Sequence, residues 1–360
     1  MKKICTVVGA RPQFVKLAVI SKQLRKTYQE VIIHTGQHYD YNMSDVFFEE
    51  MGIPHPDYNL GIFGGTHGHM TGLMISGIEN ILNKEKPDML LVFGDTNSTM
   101  AAALAAVKLN IPVCHVEAGN RLGTLSNPEE VNRIVTDHIS QIHLTCTESA
   151  SENLVKEGFS NSVHLVGDPM YDAFLYYSLH DSKAFLHEFK RIDDIKIKCP
   201  EDYYYLTCHR QENTNTDEKI NNILHAMNLL DAPTIYPVHP RNREKVIEIC
   251  QINDYKNIIL IEPVGYLDSI FLVNNAKKIV TDSGGLQREA FFAKKQCVTI
   301  FDYVIWPETM KGHVNQLAKP IEQDILEKLG KKVSFDIEYQ PFGDGHSANR
   351  IVDEIGRYFG

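Results

Sequence analysis

Short, almost uninterrupted apolar runs that end in a polar residue recur along the whole chain, and they restrict the folds open to it. The first half holds ICTVVGA (4–10), EVIIHTG (30–36), MLLVFGD (89–95), PVCHVEAG (112–119), IHLTCTE (142–148) and VHLVGDP (163–169). The second half holds YYYLTCH (203–209), TIYPVHP (234–240), IILIEPVG (258–265), KIVTDSGG (278–285) and QCVTIFD (296–302). A strand with helices on both faces has no solvent side, so it reads as a continuous β-branched run rather than an alternating one. Its polar C-terminal residues then fall at the sheet edge where open α/β sheets bind their ligands.

Amphipathic stretches fit between these runs. Pro12 suits the start of a helix through Lys26, and the Ala-rich segment from Thr96 to Leu109 suits another. A polar, strand-poor stretch from about Leu179 to Pro200 reads as a linker. The expected division is a first domain over 1–178, a linker over 179–200, a second domain over 201–347, and a last helix over 348–360 that crosses back onto the first domain. At 360 residues, two α/β domains suit the length better than one core. The fold class expected is α/β: two Rossmann-like, doubly wound parallel-sheet domains facing across a cleft, the GT-B-like arrangement.

The formal net charge of −10 argues against nucleic acid or an anionic membrane as main partner. An anionic ligand would have to be held by local basic groups and helix N-termini. The seven cysteines form no CxxC pair and sit mostly in apolar runs, as reduced buried thiols do. MKKICTVVGARPQF turns polar too early for a signal peptide, and no run approaches the roughly 20 apolar residues of a membrane span. A cytoplasmic protein is expected. The first βα turn, Gly9-Ala10-Arg11-Pro12, is not GxGxxG and no GxxxxGK[ST] loop occurs, so no dinucleotide cofactor is expected.

The strand ends give a short list: Arg11, His34, Gln37, His38, Asp95, Glu117, His209, Arg210, His239 and Ser283. Any one has an ordinary explanation; Asp95 is equally an N-cap for the helix that follows. Their joint occurrence at so many strand ends points to a site. Asp282-Ser283-Gly284-Gly285-Leu286-Gln287-Arg288-Glu289 runs from a strand into a helix. Its glycines allow close backbone approach, and the N–H groups of the helix start suit a phosphate. Glu289 is placed for a ribose diol. Asn127-Pro128-Glu129-Glu130 reads as cap, first helical residue and dipole-stabilising acids. Glu129, Arg133 and Asp137, four residues apart, suit an ion ladder. Glu130 lies off that row and is the better candidate for chemistry. His34/His38 and His67/His69 lack the carboxylate spacing of a zinc site, so no metal is expected, and no DxD occurs.

Nine motifs occur in order: GARPQFVK, HTGQHYDYNMSDVFFEE, GDTNST, HVEAGNR, PEEVNR, VGDPMYDA, CHRQENT, PVHPRNR and DSGGLQREA. Through them nearly the whole chain resembles the non-hydrolysing UDP-N-acetylglucosamine 2-epimerases. PQF, NMSDVFFEE and GGTHGHMTG are similar to the branch acting on UDP-2,3-diacetamido-2,3-dideoxyglucuronic acid. The resemblance implies inversion of carbon 2 by anti elimination of UDP to a glycal, then re-addition. It assigns catalysis to Asp95, Glu117, Glu130 and His209. UDP would be bound by Arg11, Lys16, His239, Ser283, Gly284, Gly285 and Glu289, and the sugar by Gln37, His38, Arg133, Arg210 and Glu308. It also implies a homodimer serving surface polysaccharide or lipopolysaccharide synthesis, with a UDP-sugar as the ligand.

The chain departs from that pattern in places. Where the family reads R-x-x-T-E-[WR]-x-E, it has Phe301, Val304 and Ile305 for the Arg, Thr and Glu, keeping Glu308. Asn120 replaces a leucine, and Ser126 an arginine common in the diacetamido branch. Asp40 stands where the N-acetylglucosamine enzymes carry a second glutamine for an activating substrate molecule, so substrate activation is not expected. These changes leave the identity of the sugar open. A hydrolysing epimerase, a GT-B glycosyltransferase and a UDP-sugar-binding protein without catalysis stay open as alternatives.

Overall fold

A computed structural model of the chain describes residues 1–36, 45–181 and 188–360. The chain divides into two units, Met1–Leu175 with Gln340–Gly360, and Tyr176–Tyr339.

In the first unit the chain runs β1 (Lys3–Val8), α1 (Arg11–Leu24), β2 (Gln29–His34), α2 (Asp45–Glu50), β3 (Tyr58–Asn59), α3 (His67–Glu85) and β4 (Met89–Phe93). It continues through α4 (Asn97–Lys108), β5 (Val113–Val116), α5 (Pro128–Ile139), β6 (Ile142–Thr145), α6 (Glu148–Lys156), β7 (Val163–Leu165) and α7 (Pro169–Asp181), within which the unit boundary falls. The seven strands form one parallel sheet in the order β3-β2-β1-β4-β5-β6-β7. All six apolar runs of the first half are strands of it. The seventh, β3, is a two-residue edge strand with no apolar run to announce it. Every residue of β4, β5 and β6 is buried, as a sheet covered on both faces requires.

The second unit holds β8 (Glu188–Lys190), β9 (Lys196–Lys198), β10 (Tyr204–Thr207), α8 (Gln211–Thr214), α9 (Asp217–Asn228), β11 (Thr234–Pro237), α10 (Arg243–Ile252) and β12 (Ile258–Ile261). Then follow α11 (Tyr266–Asn275), β13 (Ile279–Thr281), α12 (Gly284–Phe292), β14 (Cys297–Ile300), β15 (Asn315–Ala318) and α13 (Glu322–Gly330). Its six-stranded parallel sheet has the order β12-β11-β10-β13-β14-β15. The five apolar runs of the second half are all present, and β15 adds an edge. The strand-poor stretch before it carries a small antiparallel hairpin, β8 with β9. The last helix, α14 (Ser347–Phe359), lies in the first unit against α1, with the Phe359 and Tyr28 rings 6.0 Å apart.

Both sheets are Rossmann-like and doubly wound. Strand order reverses between β1 and β4 in one, and between β10 and β13 in the other. Connections from those neighbouring strands leave on opposite faces, which opens a crevice beyond their carboxyl ends. Among the described residues no helix is long and apolar enough to cross a membrane.

Candidate active site

At the first crevice the turn after β1 packs very closely. A Cβ on Gly9 would lie 2.2 Å from Thr35 Oγ1 and 2.3 Å from Ser98 Oγ, so only glycine fits. Gln13, one turn into α1 and buried, locks this turn to the one after β4. Its Oε1 accepts from the Gly9 and Ala10 backbone N–H groups at 2.7 and 3.0 Å, and its Nε2 donates to the Phe93 carbonyl at 2.9 Å. In the sequence Gln13 stands only within the PQF motif, with no role assigned to it; its place three residues after the cap of α1 is the signal for one. Arg11, half-buried, is the first residue of α1.

The acids gather beside these turns. Asp95 is not the cap of α4: Thr96 is, accepting from the Thr99 N–H at 3.2 Å. The Asp95 carboxylate instead pairs with Arg133, whose other terminal nitrogen pairs with Glu130. The ladder expected from Glu129 through Arg133 to Asp137 therefore does not form. Arg133 turns inward to two buried or half-buried acids, while Glu129 stays exposed and Asp137 bonds elsewhere. Asn127 caps α5 as its sequence suggests, accepting from Glu129 and Glu130 N–H at 2.9 and 3.2 Å. Glu130 also accepts from the Leu122 and Gly123 N–H groups at 2.7 and 3.1 Å, which fixes the preceding loop.

Glu117 follows β5 with φ +66. Its carboxylate meets Lys16 Nζ at 2.6 Å, and both side chains are under one-tenth exposed. Lys16, expected at the nucleotide, is thus buried against an acid. A Cβ on Gly94 would sit 3.3 Å from Glu117 Oε1 and 3.4 Å from Lys16 Nζ, which places this pair directly beside Asp95. Asp95, Glu117, Glu130, Arg133 and Lys16 thus form one cluster of alternating charge. His34 is buried, its ring stacked on Phe14 at 5.3 Å, with Nδ1 accepting from Gly36 N–H at 3.0 Å. Gln37 and His38 lie outside the described residues. Glu117, Cys146 and Asp168 bring potential metal-ligand atoms within 4.8 Å of one another. The Lys16 ammonium on Glu117 opposes a dication there.

In the second unit His209 and Arg210 follow β10, and Ser283 follows β13. Asp282, which opens the strand-to-helix segment without a role read for it in the sequence, organises both turns. Its buried carboxylate accepts from the His209 and Arg210 N–H groups, at 2.9 and 2.8 Å, and lies 3.1 Å from His209 Nδ1. Burial alone would raise this carboxyl; His209 and the backbone N–H groups outweigh it and hold it below the usual carboxylate range. The imidazole of His209 is left 41% exposed and stacks on His239 at 6.1 Å. His239 also caps a short 3₁₀ turn, accepting from Arg241 N–H at 3.2 Å.

Ser283 caps α12, its hydroxyl accepting from Leu286 N–H at 3.4 Å, and Gly284 and Gly285 form the first turn. Glu289 is buried one turn further on. Arg210 lies with its guanidinium 4.7 Å from the centre of Phe301, donates to Tyr303 Oη at 2.7 Å, and is bonded to the Asp282 carbonyl at 3.0 Å. Phe301 and Tyr303 therefore form an aromatic seat for Arg210. Glu308 is buried beside Thr309 in the turn before β15.

One Rossmann-like sheet tipped with carboxylates and another tipped with histidines and a Ser-Gly-Gly helix start define the GT-B-like class of nucleotide-sugar enzyme. A family model described as UDP-N-acetylglucosamine 2-epimerase matches residues 22–356, and the chain belongs to that family. It is 49% identical over 359 residues to a UDP-N-acetylglucosamine 2-epimerase homolog of Methanococcus maripaludis, covering 98% of this chain and 99% of that one. It is 42% identical to the UDP-2,3-diacetamido-2,3-dideoxy-D-glucuronate 2-epimerase of Pseudomonas aeruginosa, with 99% of both chains covered. The structure of Methanocaldococcus jannaschii UDP-GlcNAc 2-epimerase in complex with UDP-GlcNAc and UDP matches 99% of each chain at a TM-score of 0.88 and 38% identity. The chain is accordingly a UDP-sugar 2-epimerase, an isomerase.

Proposed function

We propose that this epimerase inverts carbon 2 of a UDP-N-acetylhexosamine-type sugar without releasing it from UDP as net product. One carboxylate removes the C2 proton as the C1–O bond to UDP breaks, giving a C1=C2 glycal. UDP then adds back to C1 while a proton reaches C2 from the other face. The observation that carries this reading is the cluster of Asp95, Glu117 and Glu130 at one strand-order reversal, each with a cationic partner. General acid–base chemistry on both faces of one carbon needs more than one such group.

The second unit suits the diphosphate: His209 and His239, stacked on each other, lie at strand ends of the sheet whose β13 leads into the half-buried first turn of α12, formed by Ser283, Gly284 and Gly285. Glu289 is assigned to the ribose and Arg11 to the phosphates. Lys16, paired with Glu117, is assigned to the phosphates as well. Arg133, Arg210, Glu308, Gln37 and His38 are assigned to the sugar. Phe301, Val304 and Ile305 depart from the family pattern near Arg210, so the sugar panel must include both UDP-N-acetylglucosamine and the diacetamido uronic acid. We further propose a cytoplasmic homodimer that supplies surface-polysaccharide synthesis, the dimer being checked by light scattering.

Incubation with UDP-sugars in deuterated water tests the reading. Deuterium at C2 of a sugar still bound to UDP is expected. Accumulating free UDP and free sugar would make the enzyme hydrolysing, and no exchange with any sugar would sink the proposal. Glu117→Gln and Glu130→Gln should each abolish exchange while UDP affinity stays; parallel loss of UDP binding would contradict their roles.

A further inference from the structure

His115 lies in β5, two residues before Glu117, and is fully buried. Its Nε2 is 2.7 Å from the Gly94 carbonyl oxygen, and its Nδ1 is 2.6 Å from Asp137 Oδ1. A carbonyl oxygen can only accept, and so can a carboxylate. Asp137 is kept as a carboxylate by what surrounds its other oxygen, the Gly119 N–H at 3.1 Å and Arg121 Nη1 at 2.7 Å. Arg121 is itself anchored by two bonds of 2.7 Å to Glu157. Burial pushes the Asp137 carboxyl up, but His115 and Arg121 outweigh it and hold it below the usual range. Neither neighbour of His115 has a hydrogen to offer, so each ring nitrogen must carry its own.

We propose that His115 is a doubly protonated positioning residue whose buried imidazolium ties the turn bearing Asp95 to the helix bearing Glu130, and so sets the spacing of the reacting carboxylates. The proposal deepens the epimerase reading and rests on it for the role of those acids. The geometry gives it reach in both directions. Gly94, with φ +64, immediately precedes Asp95, and its N–H donates to the Val116 carbonyl at 2.9 Å. Gly119, with φ +86, ends the turn of Glu117; a Cβ there would sit 2.3 Å from the Ala150 carbonyl oxygen. The tips of β4 and β5 therefore both hang from the His115–Asp137 pair.

Asp137 shares helix α5 with Glu130 and Arg133, so this helix grips the β4 tip twice, through Arg133 on the Asp95 side chain and through His115 on the Gly94 backbone. The groups facing the imidazolium are Asp137 and Arg121, with Glu117 further along its own strand. His143 from β6 bonds the Asp137 carbonyl at 2.7 Å, and burial pushes its pKa down, so it brings no second cation.

The protonation state is read on the intact wild-type enzyme by nitrogen-detected NMR of ¹⁵N-histidine-labelled protein, with His115→Gln used only for assignment. Imidazolium-type signals from both His115 nitrogens are expected at neutral pH, because both ring nitrogens face oxygens that can only accept. A neutral tautomer of either kind overturns the proposal, and that outcome does not depend on which reaction is catalysed. The positioning role is read by C2 exchange. His115→Gln and Asp137→Asn should each slow turnover about ten- to hundred-fold, as sub-ångström displacement of reacting groups does, with KM and UDP affinity unchanged. The double variant should be no slower than the worse single one. Additive losses, or loss of UDP binding in step with turnover, would overturn it.

Discussion

Glu117 shows how a single residue is committed by its neighbours. Its backbone occupies the left-handed region, which for a residue with a side chain costs on the order of 1–3 kcal/mol and persists only when the surroundings impose it. The surroundings here are the Leu144 carbonyl, which accepts from its N–H at 3.0 Å, and the buried Lys16 ammonium. Because both partners are almost fully buried, removing one leaves an uncompensated charge. Lys16→Met should cost about 3–5 kcal/mol in urea unfolding, and adding Glu117→Gln should recover most of that loss. A Lys16→Met enzyme as stable as wild type would show that the pair is solvent-relieved. The sequence made Glu117 visible as the polar end of an apolar run, but not its pairing with Lys16, which sits on a different element, α1. Asp95 was ambiguous for a related reason. An acid before a helix reads as a cap until a hydroxyl next to it, Thr96, is seen to take that role.

At the level of elements, legibility followed burial. Strands covered on both faces had to be continuous apolar runs, and all eleven such runs are strands. The edge strands β3 and β15 and the β8–β9 hairpin are short and partly polar, so periodicity could not separate them from loops. Helix α5 was legible at its cap but not in its ion pairs, because Arg133 bridges Glu130 on its own helix and Asp95 after β4, a long-range contact. Helix α14 presents a similar case. Its own cap residue, His346, makes no side-chain cap; Asp172 of α7 does so instead, accepting from the Ala348 N–H at 2.7 Å. Asp172→Ala should therefore loosen the α14 start by about 1 kcal/mol, seen as faster amide exchange at Ala348 and its neighbours. Asp172→Asn keeps an acceptor and should retain the protection. Equal fraying in both variants would shift the effect from the hydrogen bond to the charge.

For the molecule as a whole, each unit carries one deeply buried carboxylate that organises its strand-order reversal, Asp137 in the first and Asp282 in the second. Both are held below the ordinary carboxylate range although burial alone would raise them. A depressed folded-state pKa stabilises fully above the unfolded value, about 3.9, and the contribution disappears as pH falls through the folded value. Acid should thus weaken each unit through its own carboxylate. The units can be followed separately because the chain's one tryptophan, Trp306, is buried in the second, under the guanidinium of Arg288 at 4.0 Å. In urea titrations followed by Trp306 fluorescence, the wild-type midpoint should fall as pH drops below about 4. Asp282→Asn should start lower at neutral pH, having lost the charge-assisted bonds to His209 and Arg210, and should then decline less steeply. Asp137→Asn should leave the slope of the Trp306 transition unchanged, since its carboxylate stabilises the other unit. An Asp282→Asn profile as steep as wild type would place the acid sensitivity of the second unit on its surface ion pairs instead.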